Sequence, residues 1–483
     1  MRLTDTYHTI VIGSGSGGFT LAIGLTSLGK RVAVIERAFV GGDCTNVGCI
    51  PSKALIHQAN EPGAADDTAA VFRTVQGKRD RLRDEETAQL RQTTNLDLIC
   101  GHARFLDARR LEVTLSDGGR RELGAAHIVI ASGSRPRTLA IPGLPDERTL
   151  TNERLFELHE APQHLAIIGS GSVALEMACA FRKLGSAVTI VSRGERILAK
   201  AAAEASAVLE RALAAQGIAI HDRAKPQSYD EAARTLHAIA GGYPVAIPDV
   251  DRVLLAIGRE RNVDALDLDR AGVAVDAQGG IPVDGQGRTS VAHIYAVGDV
   301  TPDSHWTHSA NAQGRRVVQQ IVLPYLPTIG GDPLYPQATF SDPEVASVGM
   351  TPETVAQRYH PGAVRRVRIE LKDLDRGYTD GVEHGFVLVE AVRLTGRILG
   401  ATIVGPHAGD MITIFTLAIS RGLSLYSLYR LVFPYPTLSE GLKKAADAYV
   451  RETLPHLPAE VGAYLRYRFA KPRRGKPRLQ PQG

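Results

Sequence analysis

The stretch Tyr7-His-Thr-Ile-Val-Ile-Gly13-Ser-Gly15-Ser-Gly-Gly18 decides how this chain folds. Tyr7 to Ile12 is a short apolar run ending in glycines, the pattern of a buried parallel strand. An apolar-periodic segment from Phe19 to Leu28 follows, and Gly29 stops it as a helix does. Arg31 to Ile35 reads as a second strand, with Glu36 and Arg37 at its end. This is a βαβ unit for a dinucleotide. Gly13 makes the tight turn, Gly15 lets backbone approach a pyrophosphate, and Gly18 lets the helix pack on the strand. Glu36 can accept from a ribose hydroxyl, and Arg37 is a further candidate contact.

The pattern recurs. Leu165 to Ile168 is a strand, Gly169-Ser-Gly171-Ser-Val-Ala174 a turn, Val173 to Leu184 a helix, and Ala187 to Val191 the next strand. Ala174 replaces the third glycine. Glu36 lies 23 positions after Gly13, and the residue the same distance after Gly169 is Ser192, followed by Arg193. A carboxylate there would repel a 2′-phosphate, whereas Ser and Arg would welcome one. The second unit therefore reads as a site for NADPH rather than NADH, with Arg196 as another contact for the phosphate.

Just after the first unit comes Gly41-Gly42-Asp-Cys44-Thr-Asn-Val-Gly-Cys49-Ile-Pro-Ser-Lys53. Two cysteines five apart, in glycine-rich chain beside a nucleotide unit, read as a redox-active dithiol. A thiolate at a helix N-terminus has a lowered pKa, so Cys49 is the better candidate for the ionised partner. Lys53 lies one helical turn further on and adds positive charge. A buried lysine needs a partner, and Glu176 is the candidate. A structural zinc site would need two more ligands, and no second cysteine pair exists. Cys100, ending a strand, and Cys179, on the apolar side of a helix, read as buried fillers.

Elsewhere the chain alternates helical and strand patterns. Residues 56–90 are polar with helical spacing, as one long helix or two. Residues 96–115 read as short strands, and 128–131 as a buried strand running into a turn with Ser132 and Gly133. Residues 202–215 form a helix, and 223–248 a trimmed sheet region. Residues 253–257 are a strand before Gly258 and Arg259. Residues 294–299 are a strand ending at Asp299, with a helix over 311–322. From 333 to 454 strands (345–348, 386–391, 397–404) mix with helices (410–421, 439–449). The expected class is α/β: two Rossmann-like dinucleotide-binding domains plus a C-terminal α+β dimerisation domain. The expected boundaries are 1–150 with 280–332, then 151–279, then 333–454, then a basic tail over 455–483.

Composition sets further bounds. At 483 residues the chain exceeds one core. The net charge of +4 is small, and much of the excess sits at the C-terminus, where Arg466 and Arg468 precede Lys471, Arg473, Arg474, Lys476 and Arg478. That run is either a solvated tail or a contact for an anionic membrane surface. Basic residues are not interleaved with aromatics over a folded domain, so nucleic acid is not an expected partner. Four cysteines are too few for a disulfide-held chain of this length. No apolar run reaches the roughly 18 residues of a membrane span. Met1 to Asp5 lead almost directly into a strand, leaving no length for a signal peptide. A cytoplasmic protein, at most peripheral to the membrane, is expected.

With two dinucleotide turns and a C-x4-C between them, the chain resembles the flavin-dependent pyridine nucleotide–disulfide oxidoreductases, from about residue 7 to about residue 450. The motifs are Gly13 to Gly18 with Glu36, Gly41 to Lys53, Ala131-Ser-Gly-Ser-Arg-Pro136, Gly169 to Glu176, Ala256-Ile-Gly-Arg259, Tyr295-Ala-Val-Gly-Asp299 and Phe433-Pro-Tyr-Pro-Thr-Leu-Ser-Glu440. The resemblance implies that the first unit binds FAD, that Asp299 contacts its ribityl–pyrophosphate region, and that the second binds NAD(P)H. It implies that Cys49 is the thiolate against the flavin and Cys44 the interchange thiol. Lys53 and Glu176 become an ion pair near the flavin. It also implies a homodimer in which the partner's C-terminal domain completes each site.

One position departs from the disulfide-reducing members. They carry a histidine before Pro-Thr-x-x-Glu, as acid–base partner of the interchange thiol, oriented by the glutamate. Here the position is Tyr435, with Glu440 retained. A histidine titrates near 6.5 and a tyrosine near 10, so Tyr435 is a poor general base. Phe433-Pro-Tyr435 is instead similar to the mercuric reductase-like members, where a tyrosine lines the metal site. The chain shows neither an N-terminal C-x2-C metal-binding domain nor a vicinal cysteine pair near its end. A soft metal ion would then have to reach Cys44 and Cys49, its transient ligands, by direct entry. The expected activity is electron transfer from NADPH through FAD and the pair to a small acceptor, a soft metal ion. The alternatives are a disulfide reductase of the dihydrolipoamide dehydrogenase or glutathione reductase type, a quinone-directed electron donor, and a non-catalytic NADP(H)-sensing flavoprotein.

Overall fold

The structure is a computed structural model and describes residues 5–302, 306–325 and 334–470. The basic run Lys471 to Arg478 and the expected boundary at 332/333 lie outside them.

The first sheet is built outward from strand Asp5–Ile12. Val32–Glu36 and Arg120–Ile130 pair with it in parallel on either side, Leu96–Asp107 extends the sheet beyond Val32–Glu36, and Ile294–Ala296 extends it beyond Arg120–Ile130. Val11, Val32 and Val34 are buried against helices Ser16–Ser27 and Thr307–Val322, and Ile10 and Ala33 against a second layer that includes Phe105, Leu111, Leu123 and Leu268. The second sheet repeats the plan with Ala219–His221, Ala187–Val191, His164–Ile168, Arg252–Leu255 and Thr149–Leu150, all parallel. Residues 224–247 form a three-stranded antiparallel sheet whose core includes Tyr229, Leu236 and Ala238. The third is an antiparallel five-stranded sheet over 337–404, backed by helices Ala408–Ser420 and Glu440–Thr453. The α/β class with a C-terminal α+β unit is as expected.

Three details differ from the sequence reading. The chain crosses between the first two units along one antiparallel pair, Ser134–Pro136 with Arg259–Arg261. Ile141 and Leu150 accordingly lie in the core of the second sheets, and Leu266, Leu268 and Val273 in that of the first. Ile141 and Leu150 precede the expected junction at 150/151, and Leu266, Leu268 and Val273 precede that at 279/280. Cys100 is exposed and sits within strand Leu96–Asp107, whose residues alternate inward and outward, so it fills no core. Residues 457–467, placed in a tail, form a helix. The polar region after Cys49 resolves into two helices, Cys49–Ala59 and Thr68–Gln92.

Candidate active site

The dithiol stands where four segments meet. Cys44 lies in the short helix Gly42–Asn46, and Cys49 is the first residue of helix Cys49–Ala59. Leu55 roots that helix in a core shared with Phe72, Leu175, Phe181 and Phe386, so all three units hold it in place. Gly48 lets the two turns approach: a Cβ there would lie 2.7 Å from the Asp43 carbonyl oxygen and 3.3 Å from the Cys44 Cα. Asn46 pins the loop by donating to the carbonyls of Val40 and Gly42, both at 2.9 Å. Thr45 donates to Glu86 at 2.9 Å.

Both cysteines are free thiols and half-buried. The Thr307 hydroxyl lies 3.3 Å from Cys49 Sγ. A hydrogen bond from Cys44, helped by Thr307 and the Lys53 ammonium, outweighs burial and the Glu176 carboxylate and brings Cys49 down to about 6. The same bond holds the proton on Cys44, whose pKa rises, with burial adding to the effect. The pair is therefore asymmetric, with one thiolate and one thiol.

Lys53 Nζ donates to Glu176 Oε2 at 2.7 Å and lies 4.7 Å from the centre of the Phe340 ring. The Phe340 amide donates to the other Glu176 oxygen at 3.0 Å. Glu176 is 4% exposed, so both oxygens need these partners. One residue from each unit thus makes this cluster: Lys53, Glu176 and Phe340.

The glycines of the first unit fit a bound dinucleotide. Gly13 has φ +102°, and a Cβ there would meet the Ala131 oxygen at 2.4 Å. A Cβ on Gly18 would lie 2.1 Å from the Gly13 oxygen. Gly42 packs back to back with Gly15, where a Cβ would lie 2.7 Å from the Gly15 Cα. Helix Ser16–Ser27 has no side-chain cap and no acid in its first turn, which leaves its amides for an anion. Glu36 accepts from the Ser14 amide (2.9 Å), the Ser14 hydroxyl (2.7 Å) and the Ala38 amide (2.9 Å). Two carboxylate oxygens have room for one more donor, so these residues fit FAD. Arg37 is exposed beside it. Ser132 and Gly133 are tied to Asn262, the first through its hydroxyl and carbonyl, the second through its carbonyl. Asp299 follows Gly298, at φ +78°, and accepts from the Ser134 hydroxyl at 2.6 Å.

The second unit is looser. Gly169, at φ +123°, abuts the Ala256 oxygen, while nothing lies within 4 Å of where a Gly171 Cβ would sit. Helix Ser172–Lys183 also lacks a side-chain cap. Ala174 is wholly buried, so this turn has room for the methyl that Gly18 excludes. Ser192 is buried, its hydroxyl 2.7 Å from Ser170 Oγ and accepting from the Gly194 amide. Its hydroxyl is thus engaged within the turn. Arg196 is spent on the Ala199 and Ala201 carbonyls and on Glu353. Arg193 is exposed and makes no ion pair among the described residues. Gly258, at φ +108°, accepts at its carbonyl from the Arg137 amide.

Tyr435 stands apart. It is 71% exposed, and no hydrogen bond or ion pair links it to Cys44, Cys49 or Lys53 among the described residues. Its hydroxyl donates to Asp375 Oδ2 at 2.8 Å, which pushes the phenol above its ordinary range. Glu440 begins the helix behind it, with one buried carboxylate oxygen lacking a hydrogen-bond partner among the described residues.

Several residues here were not singled out from sequence: Asp43, Ser134, Thr307, Phe340 and Asp375. Arg259 appeared only as the end of a motif. Its guanidinium donates to Asp43, to the Ser134 hydroxyl (2.6 Å) and to the Ser134 carbonyl (2.9 Å). An acid immediately before Cys44 was the available signal. Cys179 is buried and its thiol is pushed up to about 11, as a filler would be.

Comparison with known proteins agrees with this geometry. The family model described as pyridine nucleotide-disulphide oxidoreductase matches residues 7–315, and its dimerisation domain matches 335–446. Mercuric reductase of Streptomyces lividans is 35% identical over 468 residues, covering 92% of this chain and 97% of that protein. Dihydrolipoyl dehydrogenase of Chlorobaculum tepidum is 34% identical over 467 residues, covering 92% and 98%. The Cu(II) complex of the HOCl-induced flavoprotein disulfide reductase RclA from Escherichia coli superposes with a TM-score of 0.85 at 28% identity, covering 92% of this chain and all of that one. A half-buried cysteine pair in front of two glycine cradles, followed by a dimerisation domain, places the chain among the pyridine nucleotide-disulphide oxidoreductases, flavoproteins that use FAD, a pyridine nucleotide and a redox-active cysteine pair.

Proposed function

We propose that this protein is an NADPH-dependent reductase that takes a soft metal ion at Cys44 and Cys49, in the manner suggested by its likeness to mercuric reductases. Bound FAD and NADPH would supply the two electrons. The chain's own part is to present one thiolate and one thiol and to hold Lys53 against Glu176. Soft cations prefer thiolates, and Cys49 is ionised at neutral pH without help from a base.

The carrying observation is Tyr435. Disulfide exchange needs a group that takes and returns a proton, and a phenol hydrogen-bonded to Asp375 is held on the protonated side. A metal ion needs no such group. Tyr435 reaches a dithiol only across a dimer, and the apolar surface around it supports one: Tyr378 is 84% and Val432 96% exposed in the single chain. Preference for NADPH rests on Arg193, which is exposed and makes no ion pair among the described residues.

A second reading, disulfide reduction, is favoured by the near-equal identity to a dihydrolipoyl dehydrogenase. The test is NADPH oxidation by the holoenzyme with Hg(II), Cu(II), lipoamide and glutathione disulfide. The expected result is turnover with a metal ion at least on the order of 10² faster than with either disulfide, the effect of a missing base. Equal or faster disulfide turnover would overturn the proposal in favour of the second reading.

A further inference from the structure

The C-terminal unit is laced along the helix of the second dinucleotide turn. Ser172, Glu176, Cys179 and Lys183 recur at intervals of three or four residues and so share one face of helix Ser172–Lys183. Each of them meets the segment from Thr339 to Asp342. The Ser172 and Thr339 hydroxyls are 2.8 Å apart, and the Phe340 amide donates to Glu176 at 3.0 Å. The Asp342 amide donates to Cys179 Sγ at 3.4 Å, and Lys183 donates to the Asp342 carboxylate at 2.5 Å. Gln216 donates to the Asp342 carbonyl at 2.7 Å, which fixes the far end of the lace.

The first contact differs from the others, because it leaves a donor over. Two hydroxyls carry two protons, and only one can lie between their oxygens. Neither hydroxyl has another hydrogen-bond partner among the described residues. Thr339 is 6% exposed, whereas Ser172 is half-buried. A buried proton without an acceptor is costly, so Thr339 donates to Ser172, and the Ser172 proton points away from the pair. Ser172 is the first residue of its helix, which has neither a side-chain cap nor an acid in its first turn. It follows Gly171, where nothing lies within 4 Å of a Cβ position. The spare donor therefore stands in the open turn that fits a dinucleotide, one helical turn before Glu176.

We propose that Ser172 donates its hydroxyl proton to a bound pyridine nucleotide, and that Thr339 of the C-terminal unit is the positioning residue that turns this donor toward it. The acceptor is an oxygen of the pyrophosphate or of the nicotinamide carboxamide. Both groups are common to NADH and NADPH, so the inference stands apart from the choice between them and from the final electron acceptor.

Calorimetric titration of the oxidised holoenzyme with NADP+ and with NAD+ tests this without turnover. Ser172→Ala should weaken binding of both by about tenfold, the loss of one hydrogen bond to the ligand. Thr339→Val should weaken both by about threefold or more, and Thr339→Ser, which keeps the hydroxyl, should bind within about twofold of the wild type. Because Thr339 acts through Ser172, the double variant S172A/T339V should bind within about twofold of S172A. ADP-ribose separates the two acceptors. A loss with ADP-ribose in Ser172→Ala assigns the pyrophosphate, and a loss confined to the whole nucleotides assigns the carboxamide. Alanine suits the first turn of a helix, so Ser172→Ala folds and decides the ligand contact by itself. Unchanged nucleotide affinity in that variant overturns the proposal. Effects that multiply in the double variant, or a Thr339→Ser no better than Thr339→Val, overturn the role of Thr339 and make the pair a strut between units.

Discussion

Arg259 donates to the carboxylate of Asp43, the residue before Cys44, and through the Ser134 hydroxyl it also reaches Asp299. One guanidinium thereby ties the dithiol loop to the crossing between the two dinucleotide units and to the acid implied at the FAD. Burial pulls the pKa of Arg259 down, so its carboxylate partners are what justify its charge there. Asp43→Asn keeps the shape and removes the charge. Turnover should fall on the order of tenfold with FAD content unchanged, as a small displacement of reacting groups implies. Arg259→Met strands two carboxylates and should also release FAD. Flavin content and steady-state rates check both, and an Asp43→Asn enzyme with wild-type turnover would show the link to be structural only.

The asymmetry of the cysteine pair gives a pH signature. Cys49 falls from an ordinary 9.0 to about 6, so its thiolate persists above about 6 and is protonated as the pH drops through that value. In Cys44→Ser, which keeps a hydroxyl donor, thiolate ultraviolet absorbance should vanish with a midpoint in this region. Thr307→Val and Lys53→Met should each raise the midpoint, because each removes a group that favours the anion. Glu176→Gln should lower it. A midpoint left at the ordinary value in Cys44→Ser would mean that the surroundings do not favour the thiolate.

Tyr435 predicts a gain of function. Tyr435→His supplies a group that titrates near neutrality next to the retained Glu440, whose free buried oxygen can orient it. Disulfide turnover should rise by at least about tenfold, within the range a general base provides. Tyr435→Phe should leave disulfide rates low and the metal-ion rate close to the wild type's, since the metal ion needs no proton carrier. Stopped turnover with both acceptor classes in Tyr435→His would instead mean that the tyrosine is needed for packing against the partner.

Much of this was legible in the sequence because it is local. Gly13, Gly15 and Gly18 announce themselves by spacing, and Lys53 sits one turn from Cys49 on the same helix. The Glu176 partner was found because both ends lie in recognisable motifs. What stayed hidden joins distant segments through single contacts: Phe340 at Glu176, Thr307 at Cys49, Asp375 at Tyr435. No periodicity records such pairs. The Ser170 hydroxyl beside Ser192 is another such pair, since position in a motif does not tell which way a hydroxyl points.

The two glycine turns differ in one atom's worth of space, and that difference is testable. A methyl at Gly18 would sit 2.1 Å from the Gly13 carbonyl oxygen, whereas Ala174 carries its methyl in a turn that already accommodates it. A Cβ contact under 3 Å with backbone cannot be relieved by a side-chain rotation, so the helix must move off the strand and carry its amides away from the pyrophosphate. Gly18→Ala should therefore purify with little flavin and with NADPH oxidation reduced on the order of 10²-fold or more. Ala174→Gly removes a buried methyl and loosens a helix turn, a loss of about 1–2 kcal/mol in stability with FAD content unchanged. Absorbance of bound flavin and denaturant titration separate the two outcomes. Full flavin occupancy in Gly18→Ala would show that the first turn can open as the second does.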